Sequence, residues 1–127
     1  MEKYLPPNKF LAVRTLAMPK DTNPGGDIFG GWLMSQMDIG AATVAVSTAK
    51  TRVATVAIES LHFLKPIYVG DEVTIYGEVQ RIGRTSIHVK AEAWVKRHIS
   101  DDIVQVAEGI FVFVSIDNDY NPLEIHH

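Results

Sequence analysis

The sequence predicts an α+β fold in which an antiparallel sheet of about five to six strands wraps around one long central α-helix. Three observations predict it. One stretch, from Ile28 to about Lys50, holds nothing that breaks a helix except small residues. Most of the remaining chain alternates apolar and polar residues with period two. Turn-forming clusters separate those alternating runs. The 127 residues fit a single domain, 1–127, and leave little room for a second.

Each element follows in chain order. Phe10 to Met18 is a short apolar run that reads as a strand, ended by Pro19. Asp21-Thr22-Asn23-Pro24-Gly25-Gly26-Asp27 has the composition of a loop. Asp27 is placed to act as N-cap of the helix, with Gly30 and Gly31 in its first turn. The helix is apolar nearly all round, so it is expected to be buried rather than amphipathic. Its Gly40, Ala41, Ala42, Ala45 and Ala49 let a neighbouring backbone approach closely. Strands are then expected over Arg52–Glu59, Glu72–Arg81, Ser86–Lys96 and Ile103–Ile116, with Ile87, Val89, Ala91, Ala93 and Val95 on one face. Val69-Gly70-Asp71, Ile82-Gly83-Arg84 and Ser100-Asp101-Asp102 supply the turns. A single helix covers only part of so wide a sheet, so a second subunit is expected.

Composition excludes several function classes. Hydrophobic residues make up 46% and charged residues 21%, as in an ordinary globular domain and unlike a disordered one. A net charge of −3 gives no general pull toward nucleic acid or acidic lipid. The absence of cysteine removes disulfides, thiolate metal sites and a cysteine nucleophile. No apolar run reaches membrane-spanning length, and Met1-Glu2-Lys3-Tyr4-Leu5-Pro6-Pro7 lacks the regions of a signal peptide. A cytoplasmic location is expected, with no cofactor and no metal.

Asp38 stands out within Trp32-Leu33-Met34-Ser35-Gln36-Met37-Asp38-Ile39-Gly40-Ala41. A carboxylate in such a helix is costly unless it is paired, protonated or working. A solvated or salt-bridged helix position is an equally weighted alternative. Gly30-Gly31 either packs the first turn closely or leaves backbone N–H groups free to hold an oxyanion or phosphate. Asn23 is most simply a turn residue, although its amide also has the chemistry to orient water or a carbonyl. Gly30 and Asp38 are eight residues apart, roughly 12 Å along one helix. The lean of helical side chains recovers only part of that distance. If both groups act on one carbonyl, they come from two subunits and the site lies at their interface.

At these residues the sequence resembles the hotdog-fold acyl-CoA thioesterases, in particular the bacterial YciA-like group and the related cytosolic long-chain acyl-CoA hydrolases. The first motif runs from Met18-Pro19 through Asp21-Thr22-Asn23-Pro24-Gly25-Gly26-Asp27-Ile28-Phe29-Gly30-Gly31 to Asp38, and it is long and specific. The second is Glu59-Ser60-Leu61-His62-Phe63-Leu64-Lys65-Pro66-Ile67 followed by Val69-Gly70-Asp71. Gly83-Arg84-Thr85-Ser86-Ile87 is similar to a third, which alone is weak. The resemblance spans roughly Arg14 to Asn118. Pro24, Gly25 and His62 depart from the commoner residues without removing a catalytic group.

The resemblance implies a hotdog fold, a tight dimer with a continuous sheet, often a trimer of such dimers, and metal-free hydrolysis of acyl-CoA thioesters. It implies that Asp38 is the catalytic carboxylate, that Asn23 acts from the other subunit, and that the amide of Gly30 or Gly31 binds the thioester oxygen. Asp38 is then expected to act as general base on water, with direct attack to give an anhydride as the less favoured alternative. Acyl-CoA is then the substrate and CoA a product. CoA carries phosphates, so basic residues are expected along its route: Arg84 first, then Lys65 and Arg81, with Ser86 in the same turn as Arg84. For each cation the alternative is a solvated surface charge. A hotdog hydratase or dehydratase is the nearest rival, and its usual histidine would be His62 or His88, neither in a matching motif. A non-catalytic acyl-CoA-binding module is the other. Ser35, Ser60 and Ser86 lack the glycine-flanked elbow of a serine hydrolase. Asp117-Asn118-Asp119-Tyr120-Asn121 reads as a turn rather than a calcium loop. Terminal histidine pairs such as His126-His127 seldom form a designed metal site.

Overall fold

The computed structural model describes residues 9–126. The stretch read above for a signal peptide, and His127, lie outside the described residues. Five strands and one long helix follow in the order β1 (Phe10–Leu16), α1 (Gly30–Ala49), β2 (Arg52–Phe63), β3 (Glu72–Ile82), β4 (Ser86–Lys96) and β5 (Ile103–Ile116). A single 3₁₀ turn, Pro19–Asp21, stands between β1 and α1. All pairings are antiparallel, in the spatial order β1-β3-β4-β5-β2. The expected α+β layout is present.

The alternating apolar residues of β4 (Ile87, Val89, Ala91, Ala93 and Val95) are all fully buried. They join Val73, Ile75, Phe111 and Phe113 under the helix face made by Leu33, Met37, Ala41, Val44 and Ala45. Two glycines let helix and sheet close. A Cβ on Gly40 would stand 2.9 Å from Ile75 Cγ2, and one on Gly77 would stand 2.7 Å from Val44 Cγ2. Both obstacles are methyls of β-branched side chains, which cannot swing aside. Gly40→Ala gains about 1 kcal/mol of helix propensity but forces an overpacked contact worth about 1–3 kcal/mol. Its expected net effect is a loss of up to about 2 kcal/mol, read as a lower urea midpoint at unchanged slope.

Three expectations need correction. Asp27 is not the N-cap. Phe29 holds that position and no side chain caps the helix. The cause is non-local: the Ile28 N–H bonds the Ile67 carbonyl and the Phe29 N–H bonds the Asp21 carbonyl. The chain is therefore strung between two other segments until Gly30. Nor is the helix buried all round. Met34, Ile39 and Val46 are exposed, because one chain supplies only one sheet to cover it.

The third correction concerns β2, which continues past Glu59 to Phe63. Its pairing with β5 shifts between Glu59 and His62, and Ser60 takes a left-handed φ of 53°. This β-bulge interrupts the alternation that marks a strand in sequence. It carries Leu61 over Gly109, where an added Cβ would lie 3.2 Å from the Leu61 Cα. Glycine at position 109 makes that crossing possible.

Candidate active site

The loop before the helix is held by its own backbone. Asn23 N–H donates to the Asp27 carbonyl at 2.7 Å, and Gly26 N–H donates to the Asn23 carbonyl at 3.0 Å. Asn23 Oδ1 accepts the Asp27 N–H at 3.2 Å. The acceptor end of this side chain is thus used within the loop, which turns the Nδ2 donors toward other partners.

Asn23 and Gly30 line one cavity of about 320 Å³ together with Lys65. Its apolar wall includes Leu33, Phe63 and Ile67. The Phe63 ring approaches end-on, with Cζ 3.5 Å from where a Gly30 Cβ would sit. Gly31 faces open space. The first N–H groups of α1 have no intrahelical acceptor and no side-chain cap, so the positive end of the helix opens here.

Asp38 stands elsewhere. It is half-buried, and its Oδ1 accepts a 2.8 Å hydrogen bond from Thr55 Oγ1. Thr55 lies near the start of β2, whereas Phe63, which packs on Gly30, ends it. Within one chain the carboxylate and the Asn23–Gly30 cavity therefore attach to opposite ends of the same strand. Thr55 was not identified from sequence. A threonine in an alternating strand is ordinary, and only its polarity among Val53, Ala54 and Val56 hints at a task.

The expected CoA-binding residues separate into two groups. Lys65 lines the cavity. Arg84, Arg81 and Ser86 lie around the β3–β4 turn, where Ser86 pairs with Val114 and Val114 pairs with Ala54. Phe63 pairs instead with Ala107, at the other end of β5. One chain thus places the Arg84 turn far from Lys65. Arg84 and Arg81 are exposed, and Ser86 is half-buried.

The histidines also lie apart from Asp38. His62 lines a different, polar pocket with Lys90 and Glu108, and His88 pairs with Arg81 and Val112. The Asp117 segment forms the expected turn. Asp117 Oδ1 accepts the N–H groups of Asn121 and Asp119 at 2.9 and 2.8 Å. The Asn121 N–H is the main reason that this carboxyl titrates below the usual range.

A family model described as the thioesterase superfamily matches residues 25–99. Over 119 residues the chain is 50% identical to the acyl-CoA thioester hydrolase YciA of Salmonella typhimurium, covering 91% of this chain and 90% of that protein. An aspartate-to-alanine mutant of a hexameric broad specificity acyl-coenzyme A thioesterase has the same fold. Its TM-score is 0.90 at 49% identity, covering 93% of this chain and 87% of that one. An acyl-CoA hydrolase from Staphylococcus aureus, in complex with butyryl coenzyme A, coenzyme A and coenzyme A disulfide, gives a TM-score of 0.83 at 29% identity over 93% of this chain and 71% of that one. The sheet wrapped on one helix is the hotdog fold. The chain belongs to the thioesterase superfamily, within its YciA-like group of acyl-CoA thioester hydrolases.

Proposed function

We propose that this chain hydrolyses acyl-CoA thioesters to the free acid and CoA at a site assembled from two subunits. The observation that carries this reading is the separation of Asp38–Thr55 from the Asn23–Gly30 cavity along β2. Both halves of the chemistry are present, and one chain keeps them apart.

A two-fold axis supplies the missing proximity. β2 is an edge strand of 12 residues with Val56 and Ile58 exposed. Exposed Met34, Ile39 and Val46 stand on the uncovered face of the helix. A long apolar edge of this kind invites strand pairing. Antiparallel pairing of two β2 edges makes one continuous sheet and covers both helix faces. With the axis near the middle of β2, the start of one β2 meets the end of the other. The partner's Asp38 then approaches the Asn23–Gly30 cavity. The same operation brings the partner's Arg84, Arg81 and Ser86 toward the end of the sheet that carries Lys65. Those groups meet the phosphates of CoA. Trimerisation of such dimers gives the hexamer that the solved relative forms.

In the mechanism, Asp38 takes a proton from water as the water oxygen bonds to the thioester carbon. Thr55 holds Oδ1 and leaves Oδ2 as the base. Gly30 lines the cavity, so its amide is favoured over that of Gly31 as donor to the developing oxyanion. Asn23 Nδ2 donates to the carbonyl oxygen or to the water. Collapse breaks the C–S bond, and the CoA thiolate recovers the proton from Asp38. Expulsion of thiolate needs no metal.

The deciding experiment follows free-thiol release from acyl-CoA esters of increasing chain length, with hydration of crotonyl-CoA monitored in parallel. Release of one thiol per ester consumed is expected. Loss of the enoyl absorbance without thiol would establish a hydratase instead, and ester binding with neither signal a sensing module. Thr55→Val keeps the side-chain shape and removes the donor to Asp38. It is expected to lower kcat about tenfold at unchanged KM, with Thr55→Ser close to wild type.

A further inference from the structure

We infer that Arg97 is a positioning residue for the cavity wall. The inference rests on the reading of that cavity as the acyl-CoA site. Four consecutive residues of the wall, Leu64 to Ile67, belong to the connection between β2 and β3. This connection has no strand partner and must be held by individual contacts. The Leu64 N–H bonds the Val106 carbonyl at 2.7 Å, and the Ile67 carbonyl accepts the Ile28 N–H at 3.0 Å. Pro66 lies between them and has no N–H to donate. Its carbonyl is held from outside the segment: Arg97 Nη1 donates to it at 3.0 Å.

The same Nη1 donates to Asp71 Oδ2 at 2.5 Å. Asp71 ends the connection and is only 2% exposed. Its Oδ2 also accepts the Tyr68 N–H at 2.9 Å, and the Arg97 guanidinium lies 4.8 Å from the Tyr68 ring centroid. One side chain therefore grips the connection at Pro66, Tyr68 and Asp71. Arg97 is itself fixed, because its N–H and C=O bond Asp102 and Asp101 in the β4–β5 turn. That turn sits directly on the connection. Gly70 has a φ of +93°, and an added Cβ would meet His98 Cγ at 3.0 Å. A buried ion pair contributes little net stability compared with apolar packing. What it supplies is a fixed geometry, and here that geometry spans the wall beside Lys65.

The test is a split between binding and turnover. Arg97→Met removes the grip but leaves the Asp71 carboxylate buried without its counter-ion, which threatens folding. The double variant Asp71→Asn/Arg97→Met removes the charge as well and keeps an acceptor for the Tyr68 N–H. In the double variant, KM for acyl-CoA and Kd for free CoA are each expected to rise about tenfold, with kcat per folded site unchanged. Hydrogen exchange on the wild-type protein needs no variant. Saturating CoA is expected to slow exchange in peptides covering 64–71 and 97–102 together. Unchanged KM and Kd in the double variant, a fall in kcat alone, or no added protection in 64–71 would each overturn the inference. If wild-type protein neither releases thiol nor binds CoA, the reading of the cavity fails first. If it does both, a negative result removes only the role of Arg97.

Discussion

Asp38→Ala is expected to lower kcat for acyl-CoA hydrolysis about a thousandfold or more while leaving the Kd for free CoA within about twofold. The side chain is half-buried and bonded to Thr55 rather than to a cation. Among its described contacts it has no ion pair whose loss would unfold the chain. Its removal should therefore appear in chemistry rather than in stability. Asp38→Asn is the stricter form. It preserves shape and the ability to accept from Thr55, yet abolishes the base. Thiol-release kinetics with calorimetric CoA binding provide both numbers. Turnover near wild type in either variant would end the assignment of Asp38.

Mixing two inactive variants tests the two-subunit site. Asn23→Ala is expected to be impaired about a hundredfold, and Asp38→Ala more severely. If each site takes Asp38 from one copy and Asn23 from the other, a mixed dimer contains one doubly defective site and one intact site. Equal amounts co-refolded at random produce mixed dimers in half of the population. About a quarter of wild-type activity is then expected to return. If Asp38 and Asn23 served the same site from one chain, no pairing would produce an intact site and activity would stay at the level of the parents. No other outcome of the reading differs so sharply from its alternative.

Much of the fold was legible because strand alternation and helix composition are local signals. The bounds of β4 and β5 match the apolar periodicity. What escaped was determined by contacts distant in sequence. The helix begins at Gly30 because Ile28 and Phe29 are tied to Ile67 and Asp21, and nothing near Asp27 records those bonds. β2 looked four residues shorter because the bulge at Ser60 breaks its period. The candidate site divides in the same way. Asp38 and the Asn23–Gly30 motif were visible as unusual residues in their local setting. Thr55 and Arg97 were not, since each looks ordinary until the fold brings it to Asp38 or to Pro66. Arg84 and Lys65 are expected along the route of CoA on chemistry alone, and a single chain holds the two at different ends of the sheet.

The Ser60 bulge has a mechanical consequence. A regular strand is translationally repetitive, so it can slide along a neighbour by two residues and still present the same face. An extra residue that fits only above a glycine removes that freedom. Ser60 and Gly109 thus work as a detent on the edge of the sheet. Together with the register shift between Thr55 and Ala57, the detent fixes how far Thr55 lies from Phe63 along the strand, and so sets the interval between the carboxylate and the cavity. That interval is calibrated by two backbone irregularities, one of them locked over a glycine.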